Sequence, residues 1–73
     1  MDIEILSPMP GTICQLNVST GDSVVENQKL LELESMKMEN PIISTIKGIV
    51  KDIQVKKGDI VATKQVLLVI EEG

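Results

Sequence analysis

"GTICQLNVSTGDSVVENQKLLELES" (residues 11–35) and "GIVKDIQVKKGDIVATKQVLLVIEE" (residues 48–72) are one segment written twice, offset by 37 residues without a gap. Gly11 matches Gly48, Val18 matches Val55, and Gly21–Asp22 match Gly58–Asp59. Val24 aligns with Val61, Gln28 with Gln65, Leu30–Leu31 with Leu67–Leu68, and Glu34 with Glu71. Ile13/Val50, Leu16/Ile53 and Leu33/Ile70 change shape but keep apolar character. Self-similarity of this length makes the chain two copies of one structural unit.

Each copy is punctuated as strands and turns. Ile13, Leu16 and Val18 recur as apolar positions broken by polar ones, as do Val50, Ile53 and Val55. The step from 13 to 16 departs from a period of two, which predicts a bulge or bend. Both copies then reach V-x-x-G-D-x-V. There glycine supplies a positive φ and the aspartate side chain can hydrogen-bond nearby backbone amides, so a turn is predicted. A short strand follows near Val24 and Val61, and the runs Lys29–Leu33 and Val66–Ile70 close the copies. A leading strand, Ile3–Leu6, has its counterpart at Asn40–Ile43, and Pro8 and Pro10 mark the link after the first. Four short strands per half make an all-β sandwich or flattened barrel, with residues 1–73 as a single domain. No segment sustains helical spacing for long.

Composition fits this reading and narrows the chemistry. A chain of 73 residues buries only about 60% of the surface its unfolded form exposes, so the core is small. With no Phe, Tyr or Trp, that core must be Val, Ile and Leu, residues suited to strands. The net charge of −4 argues against nucleic acid. No apolar run approaches the ~20 residues a membrane helix needs, and "MDIEILSP" is no secretory signal. One cysteine excludes an internal disulfide and suits a reducing compartment, so a cytoplasmic location is the expectation. With no histidine, the commonest general base and metal ligand are missing. No zinc-type cluster, P-loop or dinucleotide fingerprint is present. The expectation is a non-enzyme, with no catalytic residues and no metal.

One stretch remains: "ESMKMEN", residues 34–40. Lys37 lies where the first copy ends and the second begins. If a pseudo-twofold axis relates the halves, this junction is the counterpart of the two chain termini. The lysine tip and the termini should then occupy opposite ends of the module. The tip lacks the Asn-Gly or Asp-Gly that turn geometry alone favours. An isolated M-K-M would be a surface lysine beside gap-filling methionines. Its place at a symmetry-defined end is what sets it apart.

"ESMKMEN" resembles the attachment motif of biotin carboxyl carrier domains, which usually read E-A-M-K-M. The resemblance extends through "SPMPGTI", both G-D-x-V turns and the closing "VLLVIE". It departs at Ser35, where alanine is usual, and in lacking both an inserted thumb loop and an Ala/Pro-rich leader. The resemblance implies two four-stranded antiparallel sheets, with the attachment lysine at a hairpin tip opposite the termini. It implies biotin bound covalently to Lys37 through an amide, installed by a biotin protein ligase. Lysine's nucleophile is the neutral amine, so the acceptor must be exposed for a ligase to bind and deprotonate it. Glu34, Ser35, Met36 and Met38 complete the motif. Met36 and Met38 offer soft apolar surface to a ligase and partner sites, or simply pack the hairpin; Glu34 is a ligase contact or a solvated strand end.

The function implied is that of a carrier within a biotin-dependent carboxylase or decarboxylase. A biotin carboxylase would load CO₂ as carboxybiotin, and a carboxyltransferase or decarboxylase site acting on an acyl-CoA or 2-oxo acid would take it. Tethering converts cofactor diffusion into a local search. Two alternatives stand beside it. A lipoyl carrier shares the duplicated fold, but its tip usually reads D-K-A. An unmodified interaction module typically lacks the lysine between methionines and is split by a helical hairpin. Asp22 and Asp59 read as turn residues and Cys14 as a structural or surface thiol.

Overall fold

Eight strands form, four from each copy, and a computed structural model describes all 73 residues, Met1–Gly73. They are β1 (Asp2–Leu6), β2 (Gly11–Leu16), β3 (Ser23–Val24), β4 (Lys29–Ser35), β5 (Met38–Ile43), β6 (Gly48–Ile53), β7 (Ile60–Val61) and β8 (Val66–Glu72). No helix of the molecule is long and apolar enough to cross a membrane. The strands make two four-stranded sheets, ordered β1-β8-β6-β3 and β5-β4-β2-β7, with every pairing antiparallel. Each sheet takes two strands from each copy. The halves are interleaved, so neither closes a sheet alone.

The expected irregularity lies where the apolar spacing broke. The register shifts between Ile13 and Gln15 on β2, and between Val50 and Asp52 on β6. One extra residue there returns the strand to its inward phase, so that Leu16 and Ile53 pack against the core. The G-D turns also form as expected. Asp22 accepts a hydrogen bond from the Ser19 amide at 2.9 Å, and Asp59 one from the Lys56 amide at 3.0 Å. Gly21 and Gly58 supply φ values of 94° and 97°.

Between the sheets lie fourteen buried hydrophobic residues, and all of them are matched at the offset of 37. The pairs are Ile5/Ile42, Ile13/Val50, Val18/Val55, Val24/Val61, Leu30/Leu67, Leu31/Leu68 and Leu33/Ile70. Two serines, Ser7 and Ser44, are also buried and are again counterparts. Their hydroxyls donate to the carbonyls of Met9 and Ile46, both at 2.6 Å, so neither is left unpaired. The twofold thus governs polar as well as apolar detail.

Strand direction sets the ends of the molecule, which is 34 Å long and 17 Å across. Gly48 lies beside both Glu72 and Val24, and β4 starts next to Ile43 and Ser44, a few residues before Gly48. β4 therefore begins toward the termini and climbs ~20 Å away from them over its seven residues. It delivers Ser35 to the far end.

Candidate functional site

Two residues alone join β4 to β5. Ser35 pairs with Met38, leaving Met36 and Lys37 as the whole turn. The strands thus run two residues further toward the tip than the runs Lys29–Leu33 and Asn40–Ile43 read from the sequence. Met36 has φ 53° and Lys37 φ 67°. Positive φ at both central positions is the pattern of a type I′ turn, whose twist matches that of the flanking strands and lets pairing continue to its base. Neither residue suits that conformation. Asn-Gly would adopt it readily, whereas a side chain in the left-handed region costs roughly 1–2 kcal/mol per residue.

The turn projects its side chains into solvent. Met36 is 92% exposed and Met38 65%. Lys37 is exposed, and its amine makes neither a hydrogen bond nor an ion pair. Two features hold the neck. Ser35 is half-buried beside Met38. The Asn40 amide donates to the carbonyls of Met38, at 3.3 Å, and Leu33, at 3.5 Å. All five residues singled out in the sequence, Glu34, Ser35, Met36, Lys37 and Met38, are therefore gathered at one end on one hairpin.

No cavity encloses them. A groove of about 300 Å³ runs between β1 and β5, where Ile5 and Leu6 face their counterparts Ile42 and Ile43. It stops at Pro41, short of the tip.

The outer face of the β5-β4-β2-β7 sheet holds what the sequence did not disclose. Glu34 lies directly opposite Glu39, a like-charge pair that destabilises a sheet. Cys14, Glu32 and Glu39 bring potential ligand atoms within 4.8 Å of one another, and no ion is present. The Cys14 thiol donates to the Glu32 carbonyl at 3.4 Å. Its pKa is pushed up by burial first, then by Glu39 and Glu32, which disfavours the thiolate a metal would need. Residues 14, 32 and 39 have no local pattern in common; only strand register brings them together.

Comparison with known proteins agrees with the fold. A biotin carboxyl carrier protein from Streptococcus mutans is 58% identical over 38 residues, covering 52% of this chain and 29% of that one. A mitochondrial propionyl-CoA carboxylase alpha chain from Caenorhabditis elegans is 53% identical over 38 residues, covering 52% of this chain and 5% of that one. This chain thus spans less than a third of the length of either relative. Among solved structures, the urea carboxylase of Kluyveromyces lactis superposes with a TM-score of 0.91 at 27% identity, covering 97% of this chain and 6% of that one. The family model described as "Biotin-requiring enzyme" matches residues 3–70, nearly the whole chain, and this protein belongs to that family as a biotinyl domain.

Proposed function

We propose that this chain is a biotin carboxyl carrier domain in which Lys37 is the attachment residue. The observation that carries the reading is the tip itself: an unpartnered lysine in a strained two-residue turn, between two exposed methionines. The chemical fit is simple. Biotin's carboxylate needs a primary amine open to a ligase, and Lys37 offers one without displacing any contact. When bound, biotin supplies a ureido nitrogen that can hold CO₂.

The chain's own part is presentation. β4 and β5 hold the acceptor at the end of a 34 Å body, far from the termini. Acylation removes the lysine's charge and extends its flexible arm, which then reaches beyond the domain. Holding that arm near its target sites replaces a bimolecular encounter by a local one. Nothing in the domain competes as a catalyst, so the chemistry falls to its partners. Those are a biotin protein ligase, a biotin carboxylase, and a carboxyltransferase or decarboxylase site. Glu34, Ser35, Met36 and Met38 form the surface next to Lys37 on which those partners would bear.

Intact mass after incubation with a biotin protein ligase, ATP and biotin tests the reading. Wild type should gain one biotinyl group and Lys37→Arg none, since arginine keeps the charge without an acylable amine. A biotinylated Lys37→Arg protein would move the site elsewhere, and an unmodified wild type beside a labelled control carrier would end the proposal.

A further inference from the structure

We propose that Met36 and Met38 form a paired sulfoxidation site, through which a hydroperoxide can switch off recognition of the tip. The chain has five sulfur atoms in three environments. Met36 and Met38 stand 92% and 65% exposed on either side of Lys37. Met1 is 83% exposed but lies at the opposite end, where β1 and β8 meet. Met9 packs against the core, and Cys14 is half-buried with its thiol bonded to the Glu32 carbonyl. Burial and neighbouring carboxylates keep Cys14 in its less reactive protonated form. The thioethers, not the thiol, are therefore the accessible sulfurs near the acceptor.

The reaction requires only the peroxide. The sulfur attacks one peroxide oxygen, the O–O bond breaks and an S–O bond forms. Sulfur is oxidised by two electrons. The proton of the attacked oxygen passes to the departing hydroxide, which leaves as water. The product is a polar, chiral sulfoxide where a flexible apolar group had been, and thiol-dependent sulfoxide reductases reverse it. Positive φ at Met36 and Lys37 turns both side chains outward, and no other group covers them. Met36 and Met38 are the exposed apolar surface on either side of Lys37, so a protein that reads the tip would bury one or both. Two sulfoxides there would present polar oxygens to a surface shaped for thioethers.

The predicted loss of biotin uptake rests on the carrier reading of Lys37, whereas the location of the sulfoxides does not. Graded hydrogen peroxide on the full chain, followed by peptide mass mapping, decides the location. Met1, Met36 and Met38 should gain oxygen measurably faster than Met9, which is half-buried against the core. The ligase rate is then measured on oxidised and untreated protein, with melting curves confirming that both are folded. A fall of about tenfold is expected, the loss when one methionine can no longer be buried as apolar surface. Sulfoxide reductase with a dithiol should restore the rate. Met36→Leu/Met38→Leu protein, normalised to its own untreated rate, should be indifferent to peroxide although Met1 still oxidises. Oxidation of Met9 as fast as the tip pair, or an unchanged ligase rate on doubly oxidised protein, would overturn the proposal. An untreated protein that takes no biotin sinks the carrier reading instead, while the mass map still judges the oxidation site.

Discussion

At one end of the molecule β4 and β5 are joined by Met36 and Lys37; at the other, their counterparts β8 and β1 pair with no connection at all. Registers at the two ends are the same. Glu34 faces Glu39 at the tip, and Glu71 faces Asp2 at the termini. The open end closes with a backbone hydrogen bond from the Glu72 amide to the Met1 carbonyl, at 2.9 Å. A strand pair that aligns without a turn does not need one to set its register; the core beneath does that. The strained turn at the other end is therefore dispensable for alignment. What it adds is an amine held away from the body.

The charges differ as well. At the terminal end Lys51 lies 2.7 Å from Asp2. The counterparts of that pair at the tip are Cys14 and Glu39, so the second half's cation is replaced by a thiol and the carboxylate is left without a partner. At the terminal end one carboxylate, Asp2, has a cation beside it, while its counterpart at the tip, Glu39, has none.

The symmetry of the core is the first thing to break. Leu30 and Leu67 are both fully buried counterparts. Truncation to alanine should cost ~3 kcal/mol in either case, read from urea unfolding, and the two losses should agree within about 1 kcal/mol. A larger gap would mean that the ends are unequally supported beneath the surface. For a domain of this size either loss is a large share of total stability.

A smaller effect sharpens the contrast between ends. Replacing Met36–Lys37 by Asn-Gly should stabilise the protein by roughly 1–2 kcal/mol, since these residues enter the left-handed region readily. It should also abolish biotin uptake. Equal or lower stability in thermal melts would show that the native turn carries no strain.

Next comes a pair of positions at which the two halves solve the same turn differently. Asn27 and Lys64 are counterparts with φ 72° and 68°. Asparagine tolerates that region and lysine does not. Lys64→Asn should raise stability by about 1 kcal/mol, and Asn27→Lys should lower it by about as much, measured by denaturant midpoints. Failure of the two to oppose each other would mean that side-chain contacts, not backbone, decide there.

The smallest effect is electrostatic. The Lys51 hydrogen bond, against a lesser opposing effect of burial, holds the Asp2 carboxyl below its ordinary value; the same bond holds Lys51 above its own. A lowered carboxyl contributes stability above its unfolded pKa and loses it as pH falls through the folded value, so this contribution fades below about pH 4. A raised lysine contributes below its unfolded pKa and loses the contribution as pH rises through the folded value, above about pH 10.5. Between these limits Asp2→Asn should lower the melting temperature by an amount near detection, and added salt should shrink it, because the pair is solvent-exposed. In acid the variant and wild type should converge.

Much of this was legible because it was local or periodic. The bulges announced themselves in the 13-to-16 spacing, the turns in Gly21–Asp22 and Gly58–Asp59, and the tip in "ESMKMEN". Less legible was the length of the turn at Lys37. A two-residue turn follows from how far the ladder persists, and no residue between Ser35 and Met38 advertises it. The facing of Glu34 by Glu39, and the gathering of Cys14 with Glu32 and Glu39, were not legible at all.

By itself the sequence determined that the protein is two copies of one unit, that most of the core recurs as matched apolar positions in the two copies, and that a lysine sits at their junction. Periodicity suffices for that, because the alternation of apolar and polar residues states which face of a strand is buried. Tertiary structure alone decided that the copies interleave, two strands each per sheet, and that both tip residues are forced into the left-handed region. Alternation does not say which strand lies alongside, since hydrogen-bonding edges are alike in every strand. Only packing the two apolar faces together chooses the neighbours.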